Sequence, residues 1–416
     1  MSDSHFAFRY FRSKWLLLAA ILAMLSTAAQ PARAQTESVL YSFTGGADGG
    51  LPVAGLVLDA KGNLNGTTTE GGLLHNGCGS AGCGTVFEVT PAGSETVLYS
   101  FTGKNGDGRV PESSLTLDKE GNLYGTTVLG GNSRKGTVFE LTPSGTETVL
   151  YSFAGGLDGA FPGAGLVRDA MGTFYGDTLG GGLHYDGAVF ELAPSGAETV
   201  LFSFQGKQDG SAPGAALIRA PGILYGAASD GGGGSGCAPP GCGVIFAVTP
   251  TGTGNVLYRF TGGADGARPA GALVRDAQGN FFGTTAWGGT LNSFCPQGCG
   301  TVFELSPGAG DTWSLTVLHS FSGQGDGYHP VAGLLQDARG NLFGTTSGDA
   351  CSGVSCNGTV FEITPTGAEN VLHTFAGGAD GQYPYGTLVQ DKKGNLYGTT
   401  ERGGAFGNGT VFKVTM

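Results

Sequence analysis

Seven segments of the chain carry one recurring word: "GGADGGLP", "GKNGDGRVP", "GGLDGAFP", "GKQDGSAP", "GGADGARP", "GQGDGYHP" and "GGADGQYP". They set Asp48, Asp107, Asp158, Asp209, Asp265, Asp326 and Asp380 at equivalent places. Repeated carboxylates are the chemistry of a hard cation such as Ca2+, which takes carboxylate and carbonyl oxygens. The segments lack the spaced ligand series of a calcium loop, however, and Asp-Gly is a favoured turn pair whose side chain bonds its own backbone. Turn formation is therefore the first expectation, with Ca2+ as the alternative and no other cofactor implied. A second series, Asp59, Asp118, Asp169, Asp276, Asp337 and Asp391, opens short "DxxGN"-type words and reads as turn chemistry again, since one copy replaces it with "RAPGI".

Residues that differ between copies are better candidates for a site. His75, Arg134, Lys135, His184, Tyr185, Asp186, Asp230, Trp287, Phe294, Asp349, Glu401 and Arg402 fall in segments of variable length. Trp287 and Phe294 offer aromatic faces able to stack on sugars or apolar groups. His184, Tyr185, Asp186 and Glu401 are the set from which an enzyme would be built, with glycoside cleavage by carboxylates as the candidate reaction. Nothing fixes their geometry: there is no nucleophile elbow, zinc-protease helix or phosphate loop. His319 and His373 stand where other copies have Tyr in "VLYSF" and read as packed strand residues. The expectation is a non-catalytic module that binds a glycan or protein, with a carbohydrate-active enzyme as the second reading.

The eight cysteines fall into four close pairs, Cys78 with Cys83, Cys237 with Cys242, Cys295 with Cys299, and Cys351 with Cys356. An even count at such spacing reads as local disulfides in an exported chain. Each closes a loop worth roughly 2 kcal/mol on the chain-entropy view. Zinc held by two pairs is the rival, disfavoured because zinc ribbons prefer a two-residue spacer.

The elements that must position these residues repeat as well. Copies of "VLYSF" or its variants end at Phe43, Phe101, Phe153, Phe204, Phe260, Phe321 and Phe375, with spacings of 58, 52, 51, 56, 61 and 54 residues. A period of this size marks an architecture built from one supersecondary unit. The second unit reads as four strands: A, "SLTLD" (114–118); B, "NLYGTT" (122–127); C, "GTVFELT" (136–142); and D, "ETVLYSF" (147–153). The short AB and CD words contain the Gly that hairpin turns need. Strands C and D are apolar on both faces, as a sheet sandwiched between neighbours requires. Four antiparallel strands repeated seven times predict an all-β, seven-bladed β-propeller. The repeats begin with a D strand at 37–43 and finish with a C strand at 409–416, so residues 38–43 are expected to complete the blade begun at 376 and close the ring. AB and CD turns then lie on a lower face, and BC loops and DA crossings on an upper face.

The first 34 residues are of another kind: Arg9, Arg12 and Lys14 precede the apolar run "WLLLAAILAML", and "ARA" follows at 32–34. This is the pattern of a secretory leader, too short for a membrane span. A single domain is expected over 35–416. Of 21 basic and 33 acidic residues, four and one lie in the leader, leaving 17 against 32 and a formal charge of −15. Such a surface disfavours nucleic acid and anionic lipid. A monomer, secreted or periplasmic and with no span after leader removal, is the expectation.

Taken together, "AGLVLDAKGNLNGTT", "GTVFEVTP" and "VLYSF" resemble the tandem GloVer repeat of exported bacterial choice-of-anchor proteins. The resemblance covers residues 36–416. It implies an extracytoplasmic repeat protein and brings no catalytic residues. Members are named for varied C-terminal sorting anchors, and Met416 here stands within a strand word.

Overall fold

The computed structural model describes residues 35–73, 77–220, 222–234, 236–348 and 357–416. The leader segment, His75, Asp349 and the Cys351/Cys356 pair lie outside the described residues. Within Thr36–Thr415 the described residues form seven antiparallel blade sheets, each holding strands ordered A-B-C-D, with an added crossing strand in blades 4 and 5 and a small two-stranded sheet of Gly108–Arg109 with Leu129–Gly130. In blade 2 the strands are Thr116–Leu117, Leu123–Thr127, Thr137–Leu141 and Glu147–Ser152. The architecture is a seven-bladed β-propeller. Thr36–Ser42 pairs antiparallel with Thr410–Thr415, from Thr36 opposite Thr415 to Ser42 opposite Thr410, so the first strand supplies strand D of blade 7. This removes the open edge that a linear array would leave. No helix among the described residues is long and apolar enough to cross a membrane.

Strand A is shorter than the five residues expected at 114–118, because the residues before its two paired positions are engaged sideways. The inner segments are small (Ala54-Gly55, Ser113-Ser114, Ala164-Gly165, Ala215-Ala216, Gly271-Ala272, Ala332-Gly333, Gly386-Thr387). They touch their neighbours backbone to backbone: a Cβ on Gly271 would stand 2.2 Å from the Ala332 carbonyl oxygen.

The recurring "GTT" of strand B explains how blades are joined. Its first Thr donates its hydroxyl to a carbonyl of the next blade's inner region: Thr67 to Ser113, Thr126 to Ala164, Thr284 to Ala332, Thr345 to Pro384 and Thr399 to Ala54, at 2.9–3.3 Å. Blades 3 and 4 carry Asp177 and Ala227 there instead. Asp177 is buried, neither carboxylate oxygen has a hydrogen-bond partner, and burial pushes it well above the usual carboxylate range. A protonated carboxyl is the form that such a site favours.

The Gly before these threonines admits an aromatic ring rather than a neighbouring backbone. A Cβ on Gly344 would lie 2.5 Å from Phe361 Cζ. That ring meets the last Phe of the preceding blade edge-on, and the same pair recurs at all seven seams, from Phe43–Phe87 to Phe375–Phe412, with centroids 5.0–5.4 Å apart. These phenylalanines are fully buried. Edge-to-face pairs add about 0.5–1.5 kcal/mol beyond area burial.

On the lower face, Asp59 accepts from the backbone N–H groups of Lys61 and Asn63 at 2.8 Å and from the Asn63 amide at 3.0 Å. Asp118, Asp276, Asp337 and Asp391 repeat the arrangement with their own Asn. Asp169 holds Thr173 in the same way. The second Asp series is turn chemistry.

Candidate functional site

The seven crossing carboxylates each accept the backbone N–H four or five residues upstream, from Thr44 to Asp48 (2.8 Å) through Ala376 to Asp380 (2.6 Å). Turn formation therefore engages part of every carboxylate. The rest faces a junction between two D strands. Tyr41, Tyr99, Tyr151 and Tyr258 donate their hydroxyls to Asp48, Asp107, Asp158 and Asp265 at 2.9–3.3 Å. His319 and His373 take the Tyr place beside Asp326 and Asp380, so they are not merely packed strand residues, and Phe202 takes it beside Asp209.

Five junctions add a Glu from the following D strand: Glu95, Glu147, Glu198, Glu369 and Glu37. In each, Oε1 is buried and has no hydrogen-bond partner. Burial, reinforced by Asp48, Asp107 and Asp158 respectively, pushes Glu95, Glu147 and Glu198 up to about 7. Burial and Asp380 push Glu37 up to about 8. Gly254 and Leu315 occupy the Glu place at the other two junctions. The sequence showed each Asp alone; the Glu was hidden because it arrives from the next repeat.

The crossings share a second feature that sequence reasoning missed. Leu51, Val110, Phe161, Ala212, Arg268, His329 and Tyr383 all have positive φ, between 51° and 62°, and all precede a Pro. Each donates its N–H to the carbonyl just before the Gly that leads into strand C of the preceding blade, as in Leu51 to Asn408 and Arg268 to Cys242, both 2.8 Å. A left-handed backbone costs a bulky residue of order 1–3 kcal/mol. Seven copies hold the same costly conformation, yet no two carry the same side chain. The legible signal was an unlike residue before an unvarying Pro.

Three disulfides form as paired in the sequence reading, Cys78–Cys83, Cys237–Cys242 and Cys295–Cys299. Their second cysteines occupy the place of Lys135, Asp186 and Asn408 in other blades. There each packs on a crossing glycine, as Cys83 does on Gly103 and Asp186 on Gly206. Two of the disulfide loops frame a cleft of 360 Å³ between blades 4 and 5, lined by Cys237, Arg268, Trp287, Leu291, Pro296 and Gln297. Trp287 is half-buried, its ring tilted against His329 at 4.7 Å and edge-on to Tyr328 at 5.8 Å. Arg268 lies 3.6 Å from Asp230, whose carboxyl is pushed up by burial and drawn back by that guanidinium. An apolar wall with a guanidinium and an amide at its rim can hold a ring bearing hydroxyls or a carboxylate.

Phe294 is exposed at 60% and does not line that cleft, although its loop does. Leu73, Leu183, Tyr185, Leu291 and Phe406 are also exposed on BC loops. His184, Tyr185 and Asp186 sit together on the BC turn of blade 3, with Tyr185 75% exposed. Glu401 belongs to blade 7, beside Arg402 at 3.6 Å. Two blades separate these groups around the ring.

A family described as the Gloeobacter/Verrucomicrobia repeat matches residues 29–239 and 235–416. No curated protein matches the sequence. Among solved structures, the extracellular domain of a protein described as a hybrid two-component system from B. thetaiotaomicron aligns with a TM-score of 0.55 at 13% identity, over 91% of this chain and 41% of that one. The extracellular domain of a described one-component system from the same organism gives 0.50 at 10% identity, over 87% and 38%. A protein described as a 6-phosphogluconolactonase from Bacteroides uniformis ATCC 8492 gives 0.47 at 14%, over 79% and 87%. The first two likenesses show the fold alone, with this chain spanning about two fifths of each relative.

Proposed function

This chain belongs to the Gloeobacter/Verrucomicrobia repeat family, and from that premise we propose that it is an exported, non-catalytic binding module whose upper face takes a glycan. The observation that carries the reading is the cleft between blades 4 and 5, where Trp287 supplies an apolar wall and Arg268 and Gln297 supply polar groups. The crossings support it: a fixed backbone bearing unlike side chains is how scaffolds present binding loops. Exposed apolar side chains on the BC loops add surface for contact.

Export is supported by three disulfides and by the leader pattern at 1–34. In this reading residues 35–416 form one domain, and its placement is secreted or periplasmic.

The test is binding of the mature chain to soluble neutral and uronic-acid polysaccharides, followed by reducing-sugar release. Expected is saturable binding to at least one polymer, weakened roughly two- to tenfold by Trp287→Ala, since an aromatic contact contributes about 0.5–1.5 kcal/mol. Release of reducing ends would replace the reading with an enzyme. Binding unchanged by Trp287→Ala and Arg268→Ala would remove the cleft from it.

A further inference from the structure

We propose that Glu37, His373 and Asp380, at the junction where the ring closes, form a binding site for one divalent transition-metal ion of the zinc class. One ligand atom from each of the three lies within 4.8 Å of the others. His373 Nε2 is 3.2 Å from Asp380 Oδ1, while Asp380 Oδ2 takes the Ala376 N–H at 2.6 Å. Asp380 thus has one oxygen committed to the backbone and the other turned to the imidazole. Glu37 Oε1 is a buried oxygen with no hydrogen-bond partner.

The other junctions serve as internal controls. Where the ring is Tyr41, Tyr99, Tyr151 or Tyr258, a phenol donates directly to the Asp. That is a complete polar contact with no nitrogen to offer a metal. Where the ring is Phe202, both the Tyr hydroxyl and the Glu are gone. Only blades 5 and 6 end with an imidazole in this place, and in both the Glu is retained, as Glu369 and Glu37. In the first of these junctions, His319 Nε2 stands 3.7 Å from Asp326 Oδ2, a looser version of the same set. At the closing junction the three groups converge.

The donor chemistry selects the ion. Calcium and magnesium take oxygen ligands, whereas one imidazole nitrogen with two carboxylates suits zinc and its first-row neighbours. All three residues are held before any ion arrives. Glu37 is paired with Val414 in the closing strand, His373 with Val360, and Asp380 is fixed by its own turn. Each side chain is partly exposed, so water can complete the coordination. Because Glu37 belongs to the first strand and His373 to blade 6, the ion would tie that strand to its neighbour.

The mature chain, stripped with chelator, is titrated with ZnCl2 by calorimetry and with CoCl2 by visible absorption. Expected are one equivalent of either ion, cobalt d–d bands typical of low coordination number, and a melting temperature raised by roughly 3 °C at a hundredfold excess over Kd. His373→Tyr installs the residue that four other junctions already accommodate, and Glu37→Gln keeps the shape of the side chain. Both are expected to weaken binding at least tenfold and to cut the zinc-induced rise in melting temperature to about half or less at the same zinc concentration, while His319→Tyr changes neither. No stoichiometric binding by the unaltered chain would overturn the site. So would binding indifferent to both substitutions, or binding lost in His319→Tyr instead.

Discussion

The seams between blades and the crossings above them are both sevenfold, but they repeat different things. A seam repeats side chains: Phe against Phe, Gly beneath the ring, and at five seams Thr reaching to the next carbonyl. A crossing repeats backbone: one left-handed residue, one Pro, one N–H bond to the previous blade, with the side chain left free to vary. Where packing decides stability, the residue itself is constrained; where only the main chain is bonded, chemistry can be changed blade by blade. The closing junction lies between these cases, with scaffold geometry and unlike side chains together.

The largest test of this contrast sets Phe361→Ala against Phe294→Ala in thermal or urea melts. The first empties a fully buried seam position and is expected to cost about 3–5 kcal/mol. The second removes an exposed upper-face ring and is expected to stay within about 0.5 kcal/mol. Comparable losses would erase the distinction.

A smaller effect is expected where a seam departs from its own pattern. Asp177 stands where Thr elsewhere donates to the next blade, and its burial raises its pKa. The folded chain keeps this proton at pH values where the unfolded chain releases it. The contribution of this group to stability is therefore full below about pH 4 and is lost as pH rises from there through the folded value. Asp177→Thr is expected to raise stability at pH 7 by about 1–3 kcal/mol and to flatten the decline between pH 4 and 7, measured by urea melts across that range. An unaltered slope would mean that Asp177 is not the group responsible.

The smallest effect belongs to the crossing backbone. Val110 is β-branched and has φ 57°, so Val110→Gly relieves strain while removing a half-buried side chain. The balance is expected to be a gain of up to about 1 kcal/mol. Gly121→Ala in a lower turn, where φ is 88°, should lose about the same amount. Opposite signs in paired melts would support the contrast; matching signs would break it.

Much of this was legible because it is local. Blade number, strands B to D, the closing strand and both turn-forming Asp series are written in short words that recur. Strand A was read too long because Ser113 and Ser114 give no local sign of sideways engagement. The seam pairs were hidden for the same reason: Phe43 meets Phe87 across a blade boundary, and no word contains both. Asp177 was visible as "FYGDT" among "GTT" copies, but its meaning required knowing where the Thr hydroxyl goes. Glu37 and His373 come from opposite ends of the chain, so only ring closure brings them together. His184 and Glu401 stand on blades 3 and 7, and no word of the sequence relates two blades that are not neighbours.

Thr36–Ser42 finds its partner only in Thr410–Thr415. A strand made before the other six blades is thus obliged to wait for one made after them. During synthesis it must stay unpaired while six complete blades accumulate behind it, and the ring is shut only when these two strands meet. A chain threaded through a pore in order would carry this unfinished edge ahead of it for the whole passage, and would become a ring only on arrival.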